Sequence, residues 1–260
     1  MHVVTAYEWI VLAYFAALIA AAWALPVPTT RRVRATALGA VALVSLAASQ
    51  WVAPTLRAWL PHFYLVAGYW LPALLVPASP GGRFEDWLLR RDRAWRRLLP
   101  LAPSWLTPLA ELAYLMCYPL VPLAFALVWA NGDAGDVARF WLAVLLSGYS
   151  CYATLPWLVS RPPRLIDIER NDARGALAAM NTRVLARVSH QFNTFPSGHV
   201  AVAASASAAV AMVSLPAGAM LGVVVAAICV GAAAGRYHYV EDVLLGLAVA
   251  AAAHAVAAAV

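Results

Sequence analysis

The chain has 260 residues, 64% of them hydrophobic and 12% charged, and its formal net charge of +6 is carried by arginine without a single lysine. Roughly a quarter of the residues of a water-soluble domain are charged, so composition excludes a soluble globule and makes the bilayer the solvent. Three isolated cysteines, Cys117, Cys151 and Cys229, exclude a disulfide framework and a CxxC metal site, and basic loops on so apolar a chain suit anionic headgroups rather than nucleic acid.

From the N-terminus onward, the apolar residues gather into about eight blocks, each long enough at 1.5 Å per residue to cross a hydrocarbon core of roughly 30 Å. They run over about 6–25, 35–53, 62–79, 107–130, 137–159, 197–215, 217–234 and 240–259. The expectation is an all-α, polytopic membrane helix bundle of about eight transmembrane helices. The first block, Tyr7 to Leu25, lacks the basic leader and small-residue cleavage site of a secretory signal, so it reads as a retained span. Between the third and fourth blocks, Phe84, Trp87, Leu88, Trp95, Leu98 and Leu99 recur at near-helical spacing among arginines. This predicts an interfacial helix over 83–99, lying in the headgroup plane. The fourth block holds Glu111, for which a position at the membrane interface is expected. The longest polar stretch, 160–195, holds Arg161, Arg164, Asp167, Glu169, Asp172, Arg183, Arg187 and His190. Of these, Arg183, Arg187 and His190 read as a solvated basic loop.

Counting spans places Arg161, Ser197, Arg236 and His238 on one face of the membrane. The same parity puts every arginine except Arg57 and Arg139 on that face, and the positive-inside rule then makes it cytoplasmic. Two clusters there carry chemistry. Phe195-Pro196-Ser197-Gly198-His199 opens a span with a proline suited to a first helical turn and with free N–H groups that can meet an anion. Gly235-Arg236-Tyr237-His238-Tyr239-Val240-Glu241-Asp242 sets His238 and Asp242 four apart, on one helical face. The carboxylate can hold Nδ1–H and leave Nε2 free to attack. Zinc is the rival ligand for two histidines and a carboxylate, but the ligand count is thin and the surrounding arginines favour an anion.

These residues resemble the type 2 phosphatidic acid phosphatase superfamily of membrane lipid phosphatases and phosphotransferases, related to vanadium haloperoxidases. Pro196 to His199 match its Pro-Ser-Gly-His motif, and His238 with Asp242 matches the His-x3-Asp half of another, continued by Val243-Leu244-Leu245-Gly246. The resemblance implies that His238 forms a phosphohistidine, Asp242 orients it, His199 protonates the leaving alkoxide, and Ser197 with Gly198 binds phosphate oxygens. Two departures stand out. Gly231 and Ala232 occupy the family's Ser-Arg positions, leaving Arg236 as the nearest arginine. Thr154 occupies the lysine position of its Lys-x6-Arg-Pro motif, of which Arg161-Pro162 remains, with Arg164 as a stand-in.

By this resemblance, residues 61–260 form a six-helix catalytic core and residues 1–60 add two helices. The implied activity is hydrolysis of a lipid phosphate or diphosphate in a plasma (inner) membrane, with membrane lipids as partners, no metal and no cofactor. Transfer of the phosphoryl or phospho-alcohol group to an alcohol, as in inositol phosphoceramide synthase, is the alternative. A non-enzymatic lipid-phosphate binder or transporter is the reading from another class. Oligomeric state is not readable from the sequence. For sidedness the expected outcome is that a cysteine introduced into the 161–195 loop resists an impermeant thiol reagent in intact cells. Labelling there would reverse the cytoplasmic assignment.

Overall fold

The computed structural model describes residues 4–77, 82–98, 107–166 and 176–260. Leu99, Asp167, Glu169 and Asp172 lie outside the described residues. The helices are α1 (Ala6–Ala24), α2 (Thr29–Ala48), α3 (Pro54–Trp59), α4 (Pro61–Ala73), α5 (Arg83–Leu98), α6 (Thr107–Leu115), α7 (Cys117–Asn131), α8 (Ala134–Tyr152), α9 (Pro163–Ile166), α10 (Ala176–Val188), α11 (Gly198–Val213), α12 (Leu215–Ala234) and α13 (Val240–Ala258). The described chain is an all-α polytopic bundle.

Helices α8 and α11 form its centre: α8 packs against α1, α4, α7, α11 and α13, and α11 also against α7, α12 and α13. Helix α11 can be surrounded because its inward positions are small; Ala201, Ala203, Ser205 and Ala206 are fully buried. Small residues let backbones approach closely where lipid supplies no hydrophobic drive between helices. Three aromatics that pack the bundle are satisfied at their polar tips. Trp141 Nε1 donates to Ala58 O at 2.9 Å, Tyr149 Oη to Tyr64 O at 3.1 Å, and Tyr14 Oη to Gly68 O at 2.9 Å.

The spans depart from the expected eight. Among the described residues, α1, α2 with its 3-10 extension to Trp51, α12 and α13 are long and apolar enough to cross a membrane, and α6 with α7 makes a fifth if that pair, bent by 48°, is one broken span. The others fall short for separable reasons. Helix α4 has 13 residues with Pro72 near its end, α11 has 16, and α8 carries Asp136 and Arg139 inside its first two turns. Helix α2 begins at Thr29, six residues before the apolar block, because Arg31 and Arg32 find backbone acceptors at Val76 O and Ala22 O.

The amphipathic helix forms over Arg83–Leu98 as the spacing predicts. It is bound to the bundle by charge as well as by Leu88, which is fully buried. Glu85 pairs with Arg161 at 2.8 Å, and Arg91 with Trp95 donates to Glu241 at the start of α13. At the opposite end of the bundle, Glu8 of α1 is buried and chelated by Arg57 Nε and Nη2 at 2.7–2.9 Å. Arg57→Met leaves that carboxylate buried and unpaired, and loss of one member of such a pair costs about 3 kcal/mol. Chemical denaturation in detergent checks this; stability equal to the wild type would show that the pair is not the anchor of α1.

Candidate active site

Where α12 ends, the chain turns sharply so that one carbonyl serves two donors: Tyr237 N and His238 N both reach Ala232 O at 3.0 Å. Arg236 takes a left-handed conformation, φ 58°, to make that turn. Helix α13 then starts at Val240, and Asp242 in its first turn comes under the imidazole. His238 Nδ1 lies 3.3 Å from Asp242 Oδ2. Since a carboxylate only accepts, Nδ1 carries the proton and Nε2 holds the lone pair. Tyr239 N donates to the same oxygen at 3.1 Å, and Asn193 Nδ2 donates to it as well. Asn193 is placed by a bridge to Ser160, with N to O at 2.7 Å. Burial, and after it the charge of Arg164, pushes His238 down to about 3, so the imidazole is neutral near pH 7.

His199 stands in the first turn of α11 with its ring centroid 5.8 Å from that of His238. Tyr69, Tyr114 and Tyr118 enclose it, at 5.9, 5.8 and 5.7 Å. The two histidines line one small cavity, of about 20 Å³, together with Arg164, Thr194, Asn193, Tyr69, Tyr114 and Tyr237. His199 Nδ1 and Arg164 Nε are buried without a hydrogen-bond partner. Leaving such atoms unmatched is costly, which fits groups that take a ligand.

The expected phosphate cradle is rearranged. Pro196 sits ahead of the cap rather than in the first turn, and Ser197 is the N-cap, its hydroxyl accepting from Val200 N. Ser197 N is spent on Asp242 O at 2.9 Å, and Gly198 N donates to Thr194 Oγ1 at 3.1 Å. Thr194, rather than either of them, lines the cavity. Gly198 has its own reason to lack a side chain, since a Cβ there would lie 2.2 Å from the Tyr152 ring.

The three expected arginines also separate. Arg164 lines the cavity. Arg161 is turned away: its N, Nε and Nη2 all donate to Glu85, and that pairing raises its pKa further. Arg236 is buried, and its carbonyl accepts from Arg164 N at 3.2 Å. Thr154, at the lysine position, uses its hydroxyl to reach Phe195 O at 2.6 Å and so ties down the loop before α11.

Two expectations outside the motifs change. Glu111 is buried, not interfacial, and accepts from Tyr237 Oη and Asn181 Nδ2. His190 is not solvated with Arg183 and Arg187, which are exposed; its ring stacks on Tyr69 at 4.2 Å. Burial, and then His199, pushes it down to about 3. Among the described residues no three His, Cys, Asp or Glu side chains converge as a metal site.

A family model described as the PAP2 superfamily matches residues 83–256, which is about two thirds of the chain and takes in every residue named in the motifs. The chain belongs to the PAP2 superfamily. The activity is thus of phosphatase type or that of a related phosphotransferase. No curated protein and no solved structure matches the chain. Helix α4 lies outside the matched PAP2 residues yet contributes Tyr69 to the site.

Sequence spacing exposes the His238–Asp242 pair but not Asn193, which meets Asp242 across 49 residues of chain. Its role predicts that Asn193→Ala lowers turnover by about 10–100-fold, as loss of an orienting partner does elsewhere, with little change in KM. A rise in KM at unchanged kcat would place Asn193 in binding instead.

Proposed function

We propose that the protein hydrolyses a phosphate monoester or diphosphate of a membrane lipid through a phosphohistidine at His238, without a metal. One observation carries the reading: His238, with its Nδ1 held by Asp242, shares a small cavity with His199 and Arg164.

The chemistry needs two displacements. In the first, His238 Nε2 attacks phosphorus, an N–P bond forms, the P–O bond to the lipid breaks, and His199, protonated once the phosphoryl anion sits against it, gives its proton to the departing alkoxide. In the second, water attacks the same phosphorus while the now neutral His199 takes its proton, the N–P bond breaks, and inorganic phosphate leaves with both histidines restored. Arginine suits the charge that spreads over the equatorial oxygens, because its donors are fixed in a fork and it stays ionised. Arg164 supplies it in this reading, with Thr194 as a neutral neighbour. The neutral state of His238 supports nucleophilic attack near pH 7.

A second reading rests on Thr154 and the run Pro162-Pro163-Arg164, which favour delivery of the phosphoryl or phospho-alcohol group to an alcohol instead of water. A donor and acceptor competition assay distinguishes the two. For placement, a plasma (inner) membrane with the site on the cytoplasmic face follows from the arginine-rich loops.

The test is phosphate release in detergent from a panel of lipid phosphates without added metal. Wild type should release phosphate. His199→Ala should lose about 10²–10⁴-fold, the usual worth of a general acid, and His238→Ala should be inactive. Unchanged release by His238→Ala overturns the mechanism, and lipid binding with no chemistry in any protein would support a binder or transporter.

A further inference from the structure

Arg164 is held by an unusual partner. Its guanidinium carbon lies 4.2 Å over the centroid of the Tyr237 ring. Tyr114 stacks on Tyr237 at 3.9 Å and 5°; two groups so close to one ring must occupy opposite faces, so the phenol is sandwiched. Its hydroxyl donates to Glu111 Oε2. Asn181 Nδ2, arriving from α10, lies 2.9 Å from both Tyr237 Oη and Glu111 O. Glu111 and Asn181 are both buried.

The contrast with Arg161 gives this arrangement its meaning. Arg161 meets Glu85 directly and loses its donors to it. Among the described residues Arg164 has no such direct ion pair, and its Nε is unpartnered. A carboxylate hydrogen-bonded to the far edge of a phenol enriches the ring face that a cation sits on. It also supplies countercharge across a low-dielectric interior, where such charge is felt strongly. The cation is thus fixed without its N–H groups being used. The approach of α6 that brings Glu111 this deep depends on Gly231, where a Cβ would lie 2.4 Å from Ala110 O.

We propose that Glu111 is a positioning residue for phosphoryl binding, an indirect counter-ion that acts through Tyr237 to present Arg164 with its donors free. This rests on the reading of the His199–His238–Arg164 cavity as the phosphoryl site. The test is a set of double-mutant cycles on the full chain in detergent. The readouts are orthovanadate binding, followed by thermal shift, and kcat and KM on whichever lipid phosphate is turned over. Tyr237→Phe keeps the ring and its stacking but cuts the link; Glu111→Gln keeps size and acceptor but removes charge. Each is expected to weaken vanadate binding about tenfold when Arg164 is present, and by less than about twofold when it is already Arg164→Ala, as coupled contacts behave.

Equal weakening in both backgrounds would overturn the proposal, because a purely structural role adds. If Glu111→Gln does not fold, Tyr237→Phe carries the same test alone. Failure of the underlying reading looks different: the cycles stay coupled while wild type releases no phosphate from any lipid. Absence of vanadate binding by wild type would overturn both.

Discussion

Four stretches of chain meet at the side chain and backbone of Asp242. Its Oδ2 takes Nδ1 of His238, the backbone N–H of Tyr239 and the amide of Asn193, and its carbonyl takes the N–H of Ser197 at the start of α11. Asp242 is fully buried and its Oδ1 has no partner among the described residues, so the three donors on Oδ2 carry the compensation that a buried carboxylate needs. The turn after α12, the first turn of α13, the loop after α10 and the cap of α11 are therefore set by one group. The spacing of His199 from His238 follows from that junction, since one histidine hangs from α11 and the other from the turn that Asp242 organises.

Around the junction, charge is sorted by whether it meets its partner directly. Glu85–Arg161 and Glu241–Arg91 are contacts that fasten α5 to the bundle, and Glu8–Arg57 does the same for α1 at the far end. Arg164 instead lies on an aromatic face with Glu111 behind it. In a chain this apolar, an arginine in a cavity without a direct ion pair among the described residues is a costly arrangement, and a phosphoryl group would relieve it. The packed helices carry His199, Asp242, Tyr69 and Tyr114, and groups held on helices reorganise little when charge moves.

The legible part of this site was local. His238 and Asp242 are four residues apart, and Pro196 to His199 form one contiguous turn; helical geometry alone brings such residues together. What could not be read depends on helices that meet only after folding. Glu111 and Tyr237 are 126 residues apart and Asn181 lies 70 from Glu111, so neither the depth of Glu111 nor the sorting of Arg161 from Arg164 has any signature in spacing. The signal available was the expense of an acid in an apolar block, which the expectation of an interfacial position for Glu111 set aside. Span boundaries shifted for a related cause. Hydropathy sees composition and not chain direction, so it gives no sign of the 48° bend between α6 and α7 and runs the third block past the end of α4. Nor does it show that Ser197 N donates to Asp242 O and Gly198 N to Thr194 Oγ1.

The central claim is that a covalent bond forms between phosphorus and His238, and trapping that bond tests it most directly. Wild-type protein mixed with a lipid phosphate labelled at phosphorus and quenched within one turnover should carry label on the peptide that contains His238. The label should be lost in acid and stable in alkali, as a phosphoramidate is. Label on another residue, or full turnover with none on His238 at any quench time, would contradict the account.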